Sequence, residues 1–148
     1  MTNNEYLLLL TLDELALLRG LIAGEAEGEP YVGQVAVAYV AKNRVKYSKQ
    51  ALVPWWPRSL KQVILQKHQF SCFWEDWDKR RKIILEAIHS PEKYQRIDMA
   101  AKDAYYERLP DPTLGADHYF SINIKLPKWV KSMTKTVRIG RHEFYKSI

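Results

Sequence analysis

Three carboxylates alternate with small residues in the stretch GEAEGEP, where Glu25, Glu27 and Glu29 stand with Gly24 and Gly28 between two strongly apolar runs. A carboxylic acid serves as general acid near neutral pH only when poor hydration or a neighbouring like charge keeps its proton on. Glu25 is placed for both, since it closes one apolar run just before another begins, with two further acids close behind it. Hydrolysis of a glycoside would need a second carboxylate about 5 to 9.5 Å away. Glu29 is the candidate by position. Continued helix geometry would put it on the face of Glu25 at i and i+4, but Gly28 and Pro30 work against that continuation. A solvated acidic loop is the plain alternative for all three, and an acid at a helix C-terminus opposes the macrodipole by roughly 0.3 to 1 kcal/mol.

Other residues able to do chemistry are scattered. None of His68, His89, His118 and His142 forms a His-Glu-x-x-His pair, and the lone Cys72 has no partner at ligand spacing, so no metal is expected. A zinc amidase with ligands distant in sequence stays open as an alternative. Cys72 with His68 and Asp76 has the composition of a thiol peptidase site, but a cysteine and a histidine four apart on one short helix rarely take the required orientation. Cys72 is expected to be a small, buried side chain. His142, in GRHEFY, is expected to organise a late hairpin through hydrogen bonds. Trp55, Trp56, Trp74 and Trp77 interleave with Lys61, Lys67, Arg80, Arg81 and Lys82, a pattern that holds single-stranded nucleic acid. Such a surface has no use for an acid cluster, so a non-catalytic nucleic-acid module ranks behind an enzyme, and no nucleic-acid partner is assigned.

The elements that must position Glu25 can be read from pattern. TLDE at Thr11–Glu14 has capping-box spacing and starts a helix, whose face carries Leu12, Leu15, Leu18 and Ile22 at helical spacing. Gly24 and Gly28 weaken it and Pro30 ends it, which puts Glu25 in or near its last turn. Pro30 also suits the start of a second helix, YVGQVAVAYVAKNRV, apolar around most of its circumference and so buried. Ser59 caps LKQVILQK, WDKRRKIILEAIHS is amphipathic with a basic side, and a further helix starts at Ser90 and Pro91. Pro110 and Pro112 close the helical part. DHYFSINI and KTVRIGRHEFYK, the latter around Gly140, then read as short strands joined as a hairpin. The fold class is mainly α with a small β element.

The chain has 148 residues and enough apolar content for one domain spanning residues 1–148. Its single cysteine excludes an internal disulfide. The formal charge of +6 divides unevenly: residues 1–30 carry six acids and one base, leaving +11 on the rest. A basic surface concentrates the chain on polyanions, including anionic envelope polymers. The first residues lack the basic region of a signal peptide, and no apolar run approaches the roughly 20 residues of a membrane span. Synthesis in the cytoplasm is expected.

GEAEGEPYVGQVAVAYVAKNRV, PRSLKQVILQKHQFSCF, DPTLGADHYF and RIGRHEFY, in that order, resemble the SleB-type cell-wall hydrolases, which include spore cortex-lytic enzymes and shorter relatives in phages and other bacteria. The resemblance covers the chain from about Leu15 to Tyr145. It implies a lysozyme-like α+β domain that acts on peptidoglycan glycan strands, with Glu25, the first acid of the GEA block, as catalytic residue. Such enzymes are associated with lytic transglycosylase chemistry; muramidase-type hydrolysis is the near alternative. A sugar groove would draw on Gln69 for acetamido groups, on Phe70 as a flat face, and on His118 and Tyr119 as donors. Phe70 and Phe120 read more readily as core, and Glu29 as a site-shaping or substrate-binding acid. The expectation is a monomer that needs no cofactor and reaches the bacterial wall through a separate route such as holin release. The lack of a leader and of a separate wall-binding block points toward a phage endolysin.

Overall fold

The computed structural model describes residues 1–148. Its first helix, α1 (Asn3–Leu10), lies outside the elements expected from the sequence. The Thr2 hydroxyl accepts the Glu5 N–H at 3.1 Å while the Thr2 N–H donates to Glu5 Oε1 at 2.9 Å, a reciprocal cap that lets a short leucine run start a helix. Thr11, expected to open the next helix, closes this one instead, its hydroxyl donating to the Leu8 carbonyl at 2.6 Å. Asp13 takes over as cap of α2 (Glu14–Ala26), accepting the Ala16 N–H at 2.7 Å. A carboxylate suits the positive end of a helix better than a hydroxyl does, so the start moves two residues on.

Four helices follow: α3 (Tyr31–Lys49), α4 (Leu60–Leu65), α5 (Trp77–His89) and α6 (Gln95–Tyr105). Pro30 precedes α3, and Ser59 caps α4 by accepting the Gln62 N–H at 3.2 Å. At the expected start from Ser90, a 3₁₀ turn at Pro91–Lys93 intervenes and delays α6 to Gln95. α2 is enclosed by α3, α5 and α6, with Leu17, Leu18, Leu21 and Ile22 fully buried; each such side chain stabilises by about 1.5–3 kcal/mol. α3 is buried on most sides, as its composition requires.

The glycines of α2 do not break it. A Cβ on Gly20 would lie 2.9 Å from Ile88 Cδ1, and one on Gly24 would lie 2.5 Å from Cys72 Sγ. They let α5 and the 3₁₀ turn Ser71–Phe73 press directly on the helix backbone. That turn is thereby brought to the residue after Gly24, which is Glu25.

Strands β1 (His118–Ser121), β2 (Thr134–Ile139) and β3 (His142–Lys146) form an antiparallel sheet in the order β1-β3-β2. The β2–β3 hairpin turns at Gly140, in the left-handed region at φ +57°. Register pairs Tyr119 with Phe144, whose buried ring ties the sheet to the helical core. This mainly α architecture with a small sheet agrees with the expected class. No helix is long and apolar enough to cross a membrane.

Candidate active site

Glu25 leaves the last turn of α2 where two hollows meet. One, about 410 Å³, is lined by Gln69, Phe70, Tyr119, Phe120, Ile124, Trp129 and others; the other, about 380 Å³, is almost wholly polar, with Arg80, Asn123 and Arg141. Gly24, Glu25, Ser121 and His142 belong to both. Together they make a trough with an aromatic half and a polar half. A larger hollow of about 700 Å³, beside Lys46 and Lys49, shares no residue with it. The acids there are already engaged, Glu107 with Lys42 and Asp111 with Asn43 and Thr113.

Three donors converge on Glu25. Oε2 accepts the Cys72 N–H at 3.1 Å and the Ser71 hydroxyl at 3.4 Å, and Oε1 accepts the Tyr119 hydroxyl at 2.5 Å. The last contact spans 94 residues of sequence and joins β1 to α2. Burial, together with the charge and hydrogen bond of Glu25, pushes the Tyr119 hydroxyl well above its ordinary range, so it stays protonated. A neutral hydroxyl can donate to a carboxylate or accept from a carboxylic acid. The contact therefore survives a change in the protonation of Glu25.

Glu29 is 5% exposed. Arg141 donates to it twice, from its backbone N–H at 2.8 Å and from Nε at 3.0 Å. Burial raises its pKa, but the hydrogen bonds from Arg141 outweigh this and hold the carboxyl below the ordinary range. It borders the polar half, and each of its oxygens accepts a hydrogen bond from Arg141 at the β2–β3 turn. Asp76 is the one other carboxylate that lines the aromatic half beside Glu25.

Gln69 is exposed on the trough wall. Phe70, expected as a flat sugar face, is 1% exposed and stacks beneath Tyr119 with ring centres 6.4 Å apart, so it serves as floor. His118 does not line the trough. Its Nδ1 meets Asp117 Oδ1 at 3.1 Å and its ring lies between Trp56 and Trp129, so it props the half-buried Trp129. His142 does not hydrogen-bond within the hairpin as expected: its Nδ1 is buried without a partner, 3.7 Å from Glu29 Oε1. Its ring packs on Tyr119 at 4.8 Å, and burial lowers its pKa despite Glu29 and Glu25 nearby, leaving a neutral imidazole beside Glu25. Cys72 is buried, as expected, and contributes its amide.

Sequence reasoning missed Arg44, which lies under the aromatic half. Its Nε donates to the Asp117 carbonyl at 2.8 Å, its guanidinium covers the rings of Trp56 at 4.3 Å and Phe70 at 4.7 Å, and Nη1 is buried without a partner. Burial pulls its pKa down to about 10, so it is charged at neutral pH. An arginine inside AKNRV, on an otherwise apolar helix, was the available signal. Arg80, one of the basic residues interleaved with the tryptophans, caps α2 by donating to the carbonyls of Ala23 and Gly24.

The sequence pattern of the Cell Wall Hydrolase family matches residues 28–145, and the chain belongs to that family. Glu25 stands three residues ahead of the matched span. The chain is 31% identical over 134 residues to the spore cortex-lytic enzyme of Halalkalibacterium halodurans, covering 89% of this chain and 34% of that protein. It is 29% identical over 136 residues to the spore cortex-lytic enzyme of Bacillus cereus, covering 90% and 44%. The chain thus spans between a third and a half of the length of these relatives. Among solved structures, the catalytic domain of the germination-specific lytic transglycosylase SleB from Bacillus anthracis superposes with a TM-score of 0.68 at 28% identity, covering 90% of this chain and 93% of that domain. The catalytic domain of Bacillus cereus SleB gives 0.67 at the same identity. The lysozyme-like α+β class follows from these neighbours.

Proposed function

We propose that residues 1–148 form one catalytic domain that cleaves the β-1,4 bond between N-acetylmuramic acid and N-acetylglucosamine in peptidoglycan, as a lytic transglycosylase with Glu25 as both acid and base. The observation that carries this reading is the setting of Glu25, held by three donors where the aromatic and polar halves meet, while Glu29 is committed to Arg141. The SleB domains with which the chain superposes support it, since one is described as a lytic transglycosylase.

Glu25 gives its proton to the glycosidic oxygen leaving C1 of the muramic residue, whose own acetamido oxygen steadies the cationic centre. The carboxylate so formed is met by the Cys72 amide and by the Ser71 and Tyr119 hydroxyls. It next removes the proton from the C6 hydroxyl, which attacks C1 and closes a 1,6-anhydro ring. Trp129 and Gln69 are placed to hold sugar in the aromatic half.

General acid assistance is worth roughly 10²- to 10⁴-fold, so Glu25→Gln is expected to lose about that much activity on purified sacculi. Mass analysis of the released muropeptides decides the route. Products lighter by one water support the anhydro ring. Reducing ends that vanish in Asp76→Asn would instead make Asp76 the second carboxylate of a hydrolase, and free stem peptides would mean an amidase. The site of action on this reading is the cell wall, reached after synthesis in the cytoplasm.

A further inference from the structure

Between Asp117 and Glu143 the chain has six basic residues and no acid. Two of the six have acid partners, Lys135 with Glu143 and Arg141 with Glu29. Lys125, Lys128 and Lys131 have none and are exposed. They alternate along a segment whose other members, Ile124, Pro127 and Trp129, line the aromatic half of the trough.

This lip is held in place. Trp129 is wedged against His118, Phe120 and Tyr145, with ring centres 5.0, 6.0 and 5.4 Å away. The Ile122 N–H donates to the Arg141 carbonyl at 2.8 Å, which fixes the start of the segment to the hairpin turn. Lys128 and Lys131 share a 3₁₀ turn, Lys128–Ser132, where residues i and i+3 eclipse and point the same way. Three ammonium groups without acid partners therefore stand on the segment that supplies this wall of the trough.

The glycan backbone is uncharged, and the carboxylates of a peptidoglycan strand sit on the peptides attached to its muramic residues. We infer that the lip of Lys125, Lys128 and Lys131 binds these stem carboxylates, so that the enzyme selects peptide-bearing strands over bare glycan. The inference rests on the proposed cleavage of glycan strands and names their substitution state. Exposed ion pairs are individually weak, so three together are expected to favour peptide-bearing strands by about tenfold in kcat/KM.

The test compares two soluble substrates made from sacculi free of teichoic acid. One is strands released by an endopeptidase with their stems still attached; the other is the same strands stripped by an amidase, with the lactyl carboxyl freed on each muramic residue capped as its methylamide so that the bare glycan is uncharged. Cleavage is followed by chromatography of the strand ends. Wild-type protein is expected to prefer the stem-bearing strands by about tenfold, and the K125Q/K128Q/K131Q variant to cleave both about equally. Raising salt should erode the wild-type preference, because exposed charges are screened. A wild-type ratio near one, or a ratio unchanged in the variant, overturns the inference while cleavage of bare strands keeps the assigned function standing. Equal loss on both substrates in the variant also overturns it, since the lip would then grip the sugars. Failure to cleave either substrate sinks both.

Discussion

Glu25, Glu27 and Glu29 are chemically identical and lie within five residues, yet the fold gives them three different fates. Glu27 stays exposed and pairs with Arg80 at 3.3 Å, Glu29 is buried under Arg141, and of the three only Glu25 lines both halves of the trough, with three hydrogen-bond donors on it. Of those donors Tyr119 is the one a substitution removes cleanly. A hydrogen bond to a charged group is worth about 1.5–3 kcal/mol, so Tyr119→Phe is expected to lower kcat by about 10- to 100-fold. KM for glycan strands should change little and the circular dichroism spectrum not at all, because the ring keeps its stack on Phe70. Steady-state kinetics on solubilised strands would check this. Tyr119 was legible as a donor-bearing residue, but its target was not. The Cys72 amide was invisible, since a backbone donor 47 residues away leaves no trace in residue type.

At the scale of elements, α1 shows how a short helix is held by one carboxylate. Glu5 closes the Thr2 cap and also receives Arg81 Nε at 2.7 Å and Trp77 Nε1 at 3.3 Å from α5. The Thr2 N–H, then Arg81, lowers its pKa from 4.5 to about 2. The folded value is depressed, so the stability Glu5 contributes is fully present above about 4.5 and is lost as pH falls toward 2. Acid titration is thus expected to raise amide exchange in α1 over that window ahead of the core helices, and Glu5→Gln to remove this pH dependence. Hydrogen exchange with mass detection would check it. Helix types were readable from periodicity, whereas their ends depended on which of two nearby caps prevailed, as with Thr11 and Asp13.

Across the whole molecule, Glu29 fastens the late sheet to the helical body. Its carboxylate fills the turn so closely that a Cβ on Gly140 would lie 2.7 Å from Oε1. Glu29→Ala would leave the Arg141 amide unpaired; the side chain of Arg141 is 58% exposed, so the loss belongs at the low end for such pairs, about 2 kcal/mol. Thermal melting should fall by several degrees, and activity should fall with it, because Arg141 and His142 line the polar half. Its folded pKa is depressed, so this contribution is present above the ordinary carboxylate range and is lost as pH falls below it.

The sequence by itself determined the mainly helical class with its late strands, the break between α2 and α3 at Pro30, and the place of Glu25 in the last turn of α2. Periodicity, caps and proline act within a few residues, so local order suffices to express them. Only the tertiary structure decided that Phe70 is floor, that His118 props Trp129, that Glu29 is a clasp, and that Arg44 lies beneath the trough. Each of these depends on a contact across tens of residues, and such contacts are set by how α2, the Ser71–Phe73 turn and the sheet pack together.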